Sequence, residues 1–435
     1  DFAPLTKIEG EPAQEYLQRH YCAAFQQVAA RLKDLDCVIG FEAFNEPLNG
    51  FIGLKDITKP LLPVKLGPII SPLQAMLSGE GIPQEIEVWE RTLIRSRLAG
   101  HQVLNPKKIR LWREDHDGVW EANGVWDLDE RGRVHVLKPH HFSHVNGREV
   151  DFSRDYVQPF IDRFACEIRK VQPDALIFIE TDPRMPPPEW GPHDAPNIAY
   201  APHWYDETVL FLKTYSPFIG FDVHTTRVIL GPGNVRRSFT RQLARHKEYA
   251  QKFLGGVPTL IGEIGIAYDL NNRRAYHTGD FRLQARAMDR SLHAADDNLL
   301  SYVLWNYTPD NDNRHGDQWN GEDLSIFSLD QRTNPEDINS GGRALEAIVR
   351  PYARATAGEP TRMVFDMNRR IFTFEFRHDP EAQAPTEIFV PRYQYPQGYN
   401  VWITDGETQV NVEDQILTYW HSTGRETHRI QITPR

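Results

Sequence analysis

Two glutamates lie near the ends of two apolar segments, a pattern that could support acid–base chemistry. Glu46 follows the apolar part of residues 37–47 (CVIGFEAFNEP), and Glu263 follows that of residues 257–265 (VPTLIGEIG). Hydrolysis of a glycosidic bond needs one carboxyl group that protonates the leaving oxygen and a second that attacks or stabilises the anomeric carbon. Two strand ends of one barrel can hold these groups roughly 5–5.5 Å apart, which is the retaining geometry. A lone glutamate at a strand end is more often a surface residue or an ion-pair partner, so the prediction depends on the pair.

The segments that carry these glutamates alternate with amphipathic ones. Helical spacing predicts helices over residues 11–35, from about Ser153, over 236–254 and over 280–297. Apolar runs predict strands within residues 37–47, 174–180, 197–206, 257–265 and 299–307. The strand ends carry Asn45-Glu46, Glu180-Thr181, His203-Trp204-Tyr205, Glu263 and Trp305-Asn306-Tyr307.

Apolar strands separated by helices indicate a parallel sheet that helices cover on both sides. Functional side chains at successive strand ends favour an α/β fold of the (β/α)8 TIM barrel type. An open doubly wound sheet is the alternative, although no GxGxxG or GxxxxGK[ST] turn follows any strand.

The pattern changes near residue 359 to short alternating runs such as IFTFEF and HRIQI. These runs predict a C-terminal antiparallel β-sandwich domain over residues 359–435. Residues 1–355 are then the C-terminal part of the catalytic barrel, and residues 51–150 are a long insertion expected to form a subdomain over the barrel mouth.

Composition excludes several classes of protein. The 435 residues contain 49 Lys+Arg and 60 Asp+Glu, a net charge of −11, and no basic stripe that would suit nucleic acid. Three cysteines (Cys22, Cys37 and Cys166) suggest neither a disulfide framework nor a zinc site. The apolar stretch 66–77 is too short to span a bilayer. The start of the sequence shows no signal peptide, so we expect a cytoplasmic location.

Four motifs carry a family resemblance. FEAFNEP, APHWYD, LIGEIG and YVLWNY, in this order, resemble strands four, six, seven and eight of glycoside hydrolase family 5. The resemblance implies that Glu46 is the general acid/base and Glu263 the nucleophile. It also implies that Asn45 holds the sugar 2-hydroxyl, that His203 and Tyr205 line the substrate site and orient the carboxylates, and that Trp305 stacks under the glucosyl ring. The alternatives are a core histidine for His203 and barrel packing for Trp305.

Further segments, among them SPLQAMLSGEGIPQEIEVWE and WNGEDLSIFS, resemble the endoglycoceramidase-related branch of that family, especially fungal steryl-β-glucosidases and glucosylceramidases. The resemblance implies a glycolipid substrate, most of all a steryl β-glucoside, and transient contact with a membrane surface. Glucosylceramidase or endoglycoceramidase activity is the first alternative, and a non-catalytic glycolipid-binding protein is the second. The apolar stretch 59–77 would either face the aglycone or pack as a buried loop.

A polar loop, PDNDNRHGDQWNGED, follows the last predicted barrel strand. Its side chains could contact sugar hydroxyls, and the lack of DxDxDG spacing argues against a calcium site. We expect no metal and no cofactor. The candidate sugar-contacting residues of the loop are Asp310, Asn311, Asp317, Trp319, Asn320 and Glu322.

A family 5 barrel has three strands before the Asn-Glu strand, whereas about 36 residues precede it in this sequence. Five strands cannot close an eight-stranded barrel and would leave exposed edges. We therefore expect the chain to be the C-terminal part of a longer polypeptide. Its N-terminal segment would then be a partner, either as a separate chain after proteolysis or as residues omitted from this sequence.

Overall fold

The structure is a computed structural model that describes residues 1–61, 65–91, 96–183 and 185–435. The chain divides into two compact units. The first contains residues 1–177 and 188–197, and the second contains residues 178–187 and 198–435.

The first unit combines helices with short strands. Its helices are α1 (Ala13–Leu32), α2 (Pro72–Gly79), α3 (Val119–Ala122) and α4 (Gln158–Arg169), and a π-helical turn at Ser153–Val157 leads into α4. Its strands are β1 (Lys7–Ile8), β2 (Glu11–Pro12), β3 (Gly40–Glu42), β4 (Gly67–Ile69), β5 (Gln84–Arg91), β6 (Ser96–Leu104), β7 (Trp126–Leu128), β8 (Val134–Val136), β9 (His144–Val145) and β10 (Arg148–Glu149). The unit boundary falls inside β11 (Leu176–Ile179).

Two predicted helices of this unit, α1 and α4, pack together through aromatic residues. Phe25 and Phe164 meet edge to face with ring centroids 5.0 Å apart. Tyr21 on α1 donates a hydrogen bond to the carbonyl of Ala43, 2.9 Å away, just after β3. This bond ties α1 to the segment that leads to Glu46.

Residues 51–150 contain the antiparallel sheet β4-β5-β6 and a core formed by residues that include Ile57, Val125 and Trp126. Met76 and Leu77, from the apolar stretch 59–77, are buried in this core, while Leu61 and Leu66 are exposed. Residues 62–64 of the stretch lie outside the described residues. The end of the stretch therefore packs within the first unit.

The second unit begins with helices and strands that alternate along the chain. Its helices are α5 (Glu207–Leu210), α6 (Pro232–Phe253), α7 (Leu270–Thr278), α8 (Arg282–Asp297) and α9 (Leu345–Ile348), with a 3₁₀ turn at Leu329–Gln331. Its first strands are β12 (Ile198–Tyr200), β13 (Ile219–Asp222), β14 (Arg227–Leu230), β15 (Leu260–Ile264) and β16 (Ser301–Leu304). Among the described residues, no helix combines the length and the apolar composition that a membrane crossing requires.

The strands that carry the candidate site run parallel. β15 pairs with β16 in parallel, and parallel bridges join Tyr200 to Thr259 and His203 to Glu263. The regular part of the strand predicted over 197–206 is only Ile198–Tyr200, because Pro202 has no N–H to donate to a ladder. Helices α6 and α8 contribute buried residues to the core beside β15.

The remaining strands form two antiparallel four-stranded sheets, so the predicted C-terminal antiparallel structure is confirmed. The strands are β17 (Tyr352–Ala355), β18 (Gly358–Asp366), β19 (Ile371–His378), β20 (Thr386–Phe389), β21 (Tyr399–Ile403), β22 (Glu407–Asn411), β23 (Ile416–Trp420) and β24 (Thr427–Pro434). Their orders are β17-β20-β23-β22 and β18-β19-β24-β21. Phe374 and Phe376 of one sheet share a core with Leu417 and Tyr419 of the other, which explains the alternating sequence pattern.

One buried histidine makes stability depend on pH. His246 on α6 is 2% exposed, and among the described residues neither of its ring nitrogens has a hydrogen-bond partner. Burial, helped by the charges of His224 and Arg245, lowers its pKa to about 3. In the unfolded chain the pKa is about 6.5, so between these values the unfolded state binds a proton that the folded state does not.

We therefore expect the free energy of unfolding to fall as pH drops from about 6.5 toward 3, with this residue contributing up to about 1.4 kcal/mol per pH unit. Urea unfolding at a series of pH values, on the wild type and on His246→Leu, measures this. The variant should lose part of the acid-side slope. Equal slopes for the two proteins would contradict the assignment, and His277→Leu, at an exposed position, is the control.

Candidate active site

Neighbouring parallel strands bring three predicted residues of the second unit to one edge. The backbone N–H of Trp204 donates to the carbonyl of Glu263 at 3.0 Å. The N–H of Trp305 donates to the carbonyl of Ile264, also at 3.0 Å. Because parallel strands end at the same edge, Tyr205, Glu263 and Trp305 follow in consecutive strands there.

Glycines in the LIGEIG segment allow this close strand pairing. A Cβ atom on Gly262 would lie 2.7 Å from the carbonyl oxygen of Ala201, and one on Gly265 would lie 2.1 Å from that of Trp305. Neither distance is compatible with a side chain unless a neighbouring strand moves. The glycines on both sides of Glu263 therefore fix the strand spacing that positions its carboxylate.

Two side chains from residues 203–205 (HWY) contact the Glu263 carboxylate. The Tyr205 hydroxyl donates to Oε2 of Glu263 at 2.8 Å. Nδ1 of His203 lies 3.3 Å from the same oxygen and 3.2 Å from Oε1 of Glu180. Ionised carboxylates only accept hydrogen bonds, so His203 can donate to Glu263 only when it carries its proton on Nδ1. Hydrogen bonds of this kind favour the charged, nucleophilic form of a carboxylate.

Glu180 belongs to this cluster although it was not among the predicted site residues. It directly follows β11 and is 2% exposed, and the neighbouring His203 is 3% exposed. Its position at the end of an apolar run, like that of Glu263, was the available signal. The Glu180 carboxylate lies beside the His203 ring that contacts Glu263.

The side chains of the HWYD segment alternate between the site and the core. Trp204 points away, where its indole N–H donates to Gln242 of α6 at 3.2 Å and its ring packs against Phe239. Asp206 is buried against Arg290 of α8. The two core-facing residues hold the segment, so that His203 and Tyr205 can face Glu263.

The loop after β16 places a second tryptophan beside Trp305. The rings of Trp305 and Trp319 are nearly perpendicular, with centroids 6.4 Å apart, and Trp319 is 56% exposed. The peptide between Trp305 and Asn306 is cis. Asn320 donates to Glu322 at 2.8 Å, two residues along the same loop. Two indole faces and a polar pair are groups that suit a sugar ring and its hydroxyls.

Two of the other loop residues have an internal role instead. Asn311 is fully buried, and its amide donates to Asp317 at 2.8 Å and to Asp323 at 3.0 Å. Asp317 also accepts from the backbone of Leu324 at 2.8 Å. The sequence-based expectation that Asn311 and Asp317 contact sugar is wrong for this structure, because their polar atoms close the loop on itself. Asp310 is exposed.

Asn45 and Glu46 lie in the first unit, directly after the segment of β3. Glu46 has a φ of +43°, a left-handed conformation that is uncommon for residues other than glycine. Asn45 is exposed and Glu46 half-buried. Since Glu263 lies in the second unit, the retaining separation of the two carboxyl groups stays a prediction.

An apolar cavity of about 290 Å³ lies in the first unit beside this segment. Phe44 and Pro47, which flank Asn45 and Glu46, form part of its wall. The rest of the wall comes mainly from α1 and α4 and includes Leu17, Tyr21, Ile52 and Phe160. Its wall could receive an apolar group.

Replacing Tyr205 by Phe is expected to lower kcat roughly 10- to 100-fold, because a hydrogen bond to a charged group is worth about 1.5–3 kcal/mol. KM should change less than kcat, since the hydroxyl donates to Glu263. Steady-state kinetics separates the two constants. A raised KM with unchanged kcat would mean that Tyr205 holds substrate instead. Tyr249→Phe on α6 is the matched control.

Known proteins resemble the chain both in sequence and in structure. Residues 350–432 match the sequence model of the glycoside hydrolase family 5 C-terminal domain. The chain is 31% identical over 421 residues to a glucosylceramidase of Rhizopus delemar. The aligned region covers 91% of this chain and 61% of that protein. It is 27% identical over 530 residues to the ergosteryl-beta-glucosidase of Saccharomyces cerevisiae, covering 98% and 68%. The chain therefore spans about three fifths to two thirds of the length of these curated relatives.

The crystal structure of Cryptococcus neoformans sterylglucosidase 1 matches with a TM-score of 0.91 and 29% identity, over 100% of this chain and 70% of that one. The predicted resemblance to glycoside hydrolase family 5, and to its fungal glucosylceramidases and steryl glucosidases, is confirmed by these similarities.

Proposed function

We propose that the chain carries the catalytic machinery of a retaining β-glucosidase of glycoside hydrolase family 5 that hydrolyses glycolipids, above all steryl β-glucosides. The observation that carries the proposal is the contact of Tyr205 and His203 with one oxygen of Glu263. The two contacts on one carboxylate oxygen hold the Glu263 side chain in place at the strand end. The similarity to proteins named as steryl glucosidases and glucosylceramidases supports the substrate class.

In the proposed mechanism, Glu263 attacks the anomeric carbon of glucose. Glu46 donates its proton to the glycosidic oxygen as the bond to the aglycone breaks, so that the sterol leaves as an alcohol. A water molecule then gives a proton to Glu46 and its oxygen to the anomeric carbon. This step releases glucose and restores both carboxyl groups to their first state.

The apolar cavity beside Glu46 supports a large apolar aglycone. The general acid must lie on the leaving-group side of the sugar, because it protonates the oxygen that joins sugar and aglycone. The cavity walls at Phe44 and Pro47 lie one or two residues from Glu46. An aglycone held there would lose its apolar surface to the protein, worth about 25 cal/mol per Å² buried.

We also propose that the parallel strands belong to a (β/α)8 barrel. The parallel pairing of β15 with β16 and the bridge from His203 to Glu263 support this fold.

Glucosylceramide hydrolysis is the second candidate function, because the similar proteins include enzymes named glucosylceramidase as well as ergosteryl-beta-glucosidase.

The test is product analysis with the full-length protein on steryl glucoside, glucosylceramide and lactosylceramide in parallel. Free glucose from the steryl glucoside, with little from either ceramide, supports the proposal. Glucose mainly from glucosylceramide favours the second candidate. Intact lactose from lactosylceramide would mean endo action, and absence of turnover on all three would favour a glycolipid-binding protein.

A further inference from the structure

Three histidines meet at one end of the two C-terminal sheets. His378 is the last residue of β19, His421 directly follows β23, and His428 is the second residue of β24. Nδ1 of His378 lies 3.0 Å from Nε2 of His428. The ring of His421 lies 4.4 Å from that of His428 and 5.0 Å from that of His378, between centroids. One nitrogen from each ring can be chosen so that all three lie within 4.8 Å of one another.

A carboxylate sets the orientation of the most buried of these rings. The two oxygens of Asp405 lie 3.0 and 3.1 Å from Nδ1 of His428. Since the carboxylate accepts, Nδ1 of His428 carries the proton and Nε2 presents its lone pair toward His378. Asp405 is itself held by the hydroxyl of Tyr419, which donates at 2.9 Å. A carboxylate behind a histidine is the usual support of a metal-ligating ring.

The geometry suits an ion that is bound near the surface. His428 is 1% exposed, whereas His378 and His421 are half-buried. Metal–nitrogen bonds of about 2.0–2.1 Å in a tetrahedral site separate neighbouring nitrogens by roughly 3.3 Å, close to the distance between His378 and His428. The two partly exposed rings leave solvent access for the ion and for a water molecule as fourth ligand.

We propose that His378, His421 and His428 bind a divalent transition-metal ion of the zinc class, with Asp405 as the positioning residue. Three imidazoles with an open fourth position are a donor set that Zn²⁺, Co²⁺ and Ni²⁺ accept. Because His421 belongs to one sheet and the other two histidines belong to the second, the ion joins the two sheets. The site is separate from Glu263 and does not depend on the proposed glucosidase function.

The first experiment is titration of the chelator-treated full-length protein with Zn²⁺ against a chromophoric competitor. We expect one tight equivalent per chain in the wild type and at least a 100-fold loss of affinity in His421→Ala. His277→Ala, which removes an exposed histidine elsewhere in the same unit, should bind as the wild type does. Asp405→Asn should weaken binding roughly 10- to 100-fold, the range for a residue that supports a metal ligand.

Thermal unfolding and Co²⁺ spectra keep the test decisive. Zn²⁺ should raise the Tm of the wild type and of His277→Ala but not that of His421→Ala, and the metal-free Tm values show whether each variant folds. Co²⁺ bound to the wild type should give the visible absorption of a tetrahedral, nitrogen-rich site. The proposal is wrong if the wild type binds no Zn²⁺, or if the wild type and His421→Ala bind it equally. The three histidines would then be a hydrogen-bonded group without a metal.

Discussion

Glu263→Gln is expected to reduce kcat for steryl glucoside hydrolysis by roughly 10⁴-fold or more, the scale seen when a covalent nucleophile is removed. Glutamine has the same shape, and the strand bond from Trp204 uses only the backbone carbonyl of residue 263. The strands should therefore stay in place while the attacking oxygen is lost. KM should change little, because the substitution removes an interaction that is made mainly in the transition state.

Two measurements check this prediction. Quantifying free glucose gives the rate, and a 2-fluoro-glucoside that traps the covalent intermediate should label the peptide that contains residue 263 in the wild type only. Glu248→Gln, an exposed glutamate on α6, is the matched control and should keep full activity. Substantial turnover by the Glu263 variant, or a label on another peptide, would show that the nucleophile was wrongly assigned.

Glu46→Gln should lower turnover of steryl glucoside roughly 10²- to 10⁴-fold, the usual contribution of a general acid/base. A sterol alcohol is a poor leaving group and needs the proton from Glu46. An aryl glucoside with an acidic phenol does not, so its bond cleavage should be much less affected. Because water then lacks its base, the glucosyl-enzyme should accumulate, and azide should restore turnover by attacking it directly.

The contrast between the two leaving groups identifies the role of Glu46. A burst of phenol followed by slow turnover, with glucosyl azide formed when azide is added, is the expected result. Equal losses on both substrates without rescue would mean that Glu46 binds the sugar and does not transfer protons. Glutamine and glutamate have similar backbone preferences. The left-handed conformation at position 46 should therefore be equally strained in the variant and in the wild type, and should not cause a difference in activity.

The sequence could predict that His203 and Glu263 lie at neighbouring strand ends because this follows from a simple geometric rule, whereas the roles of His203 and Tyr205 came from the family resemblance. Apolar runs before His203 and before Glu263 identified two strands, and parallel neighbours bring their ends together. Hydrogen bonds between residues 202 and 262 and between residues 204 and 263 confirm the pairing of these segments. The helices α6 and α8 were predicted from the helical spacing of their residues, which is a sufficient signal for a helix with one buried face.

Residue type alone could not separate sugar-contacting side chains from structural ones in the loop after β16. Asn311 and Trp319 both looked suitable, yet one is fully buried and the other 56% exposed. The difference arises from loop closure, in which buried polar groups must find partners. Asp323, for example, accepts from Asn311 and pairs with buried Arg343. Tyr276 also bonds Asp323, and burial and this carboxylate raise the pKa of Tyr276.

The histidine cluster was invisible to motif reading for a related reason. His378 lies 43 residues before His421 in the sequence, and the third histidine follows only seven residues later. The short zinc-binding motifs do not have this spacing, because the three histidines come from strands of two different sheets. Sheet order and the alignment of strand ends had to be known before these side chains could be seen as neighbours.

Gly262 and Gly265 have a consequence for any survey of tolerated substitutions in this chain. Even alanine at either position would press against a neighbouring strand carbonyl, so selection for activity should reject nearly every replacement. In a library that replaces each residue by every other amino acid, substitutions of either glycine should abolish activity as completely as substitutions of Glu263. Loss of activity on substitution in this segment therefore identifies residues needed for strand packing as well as the residue needed for catalysis. Abundance of folded protein, measured beside activity, would separate them: glycine variants should disappear from the soluble pool, while Glu263 variants should remain there without activity.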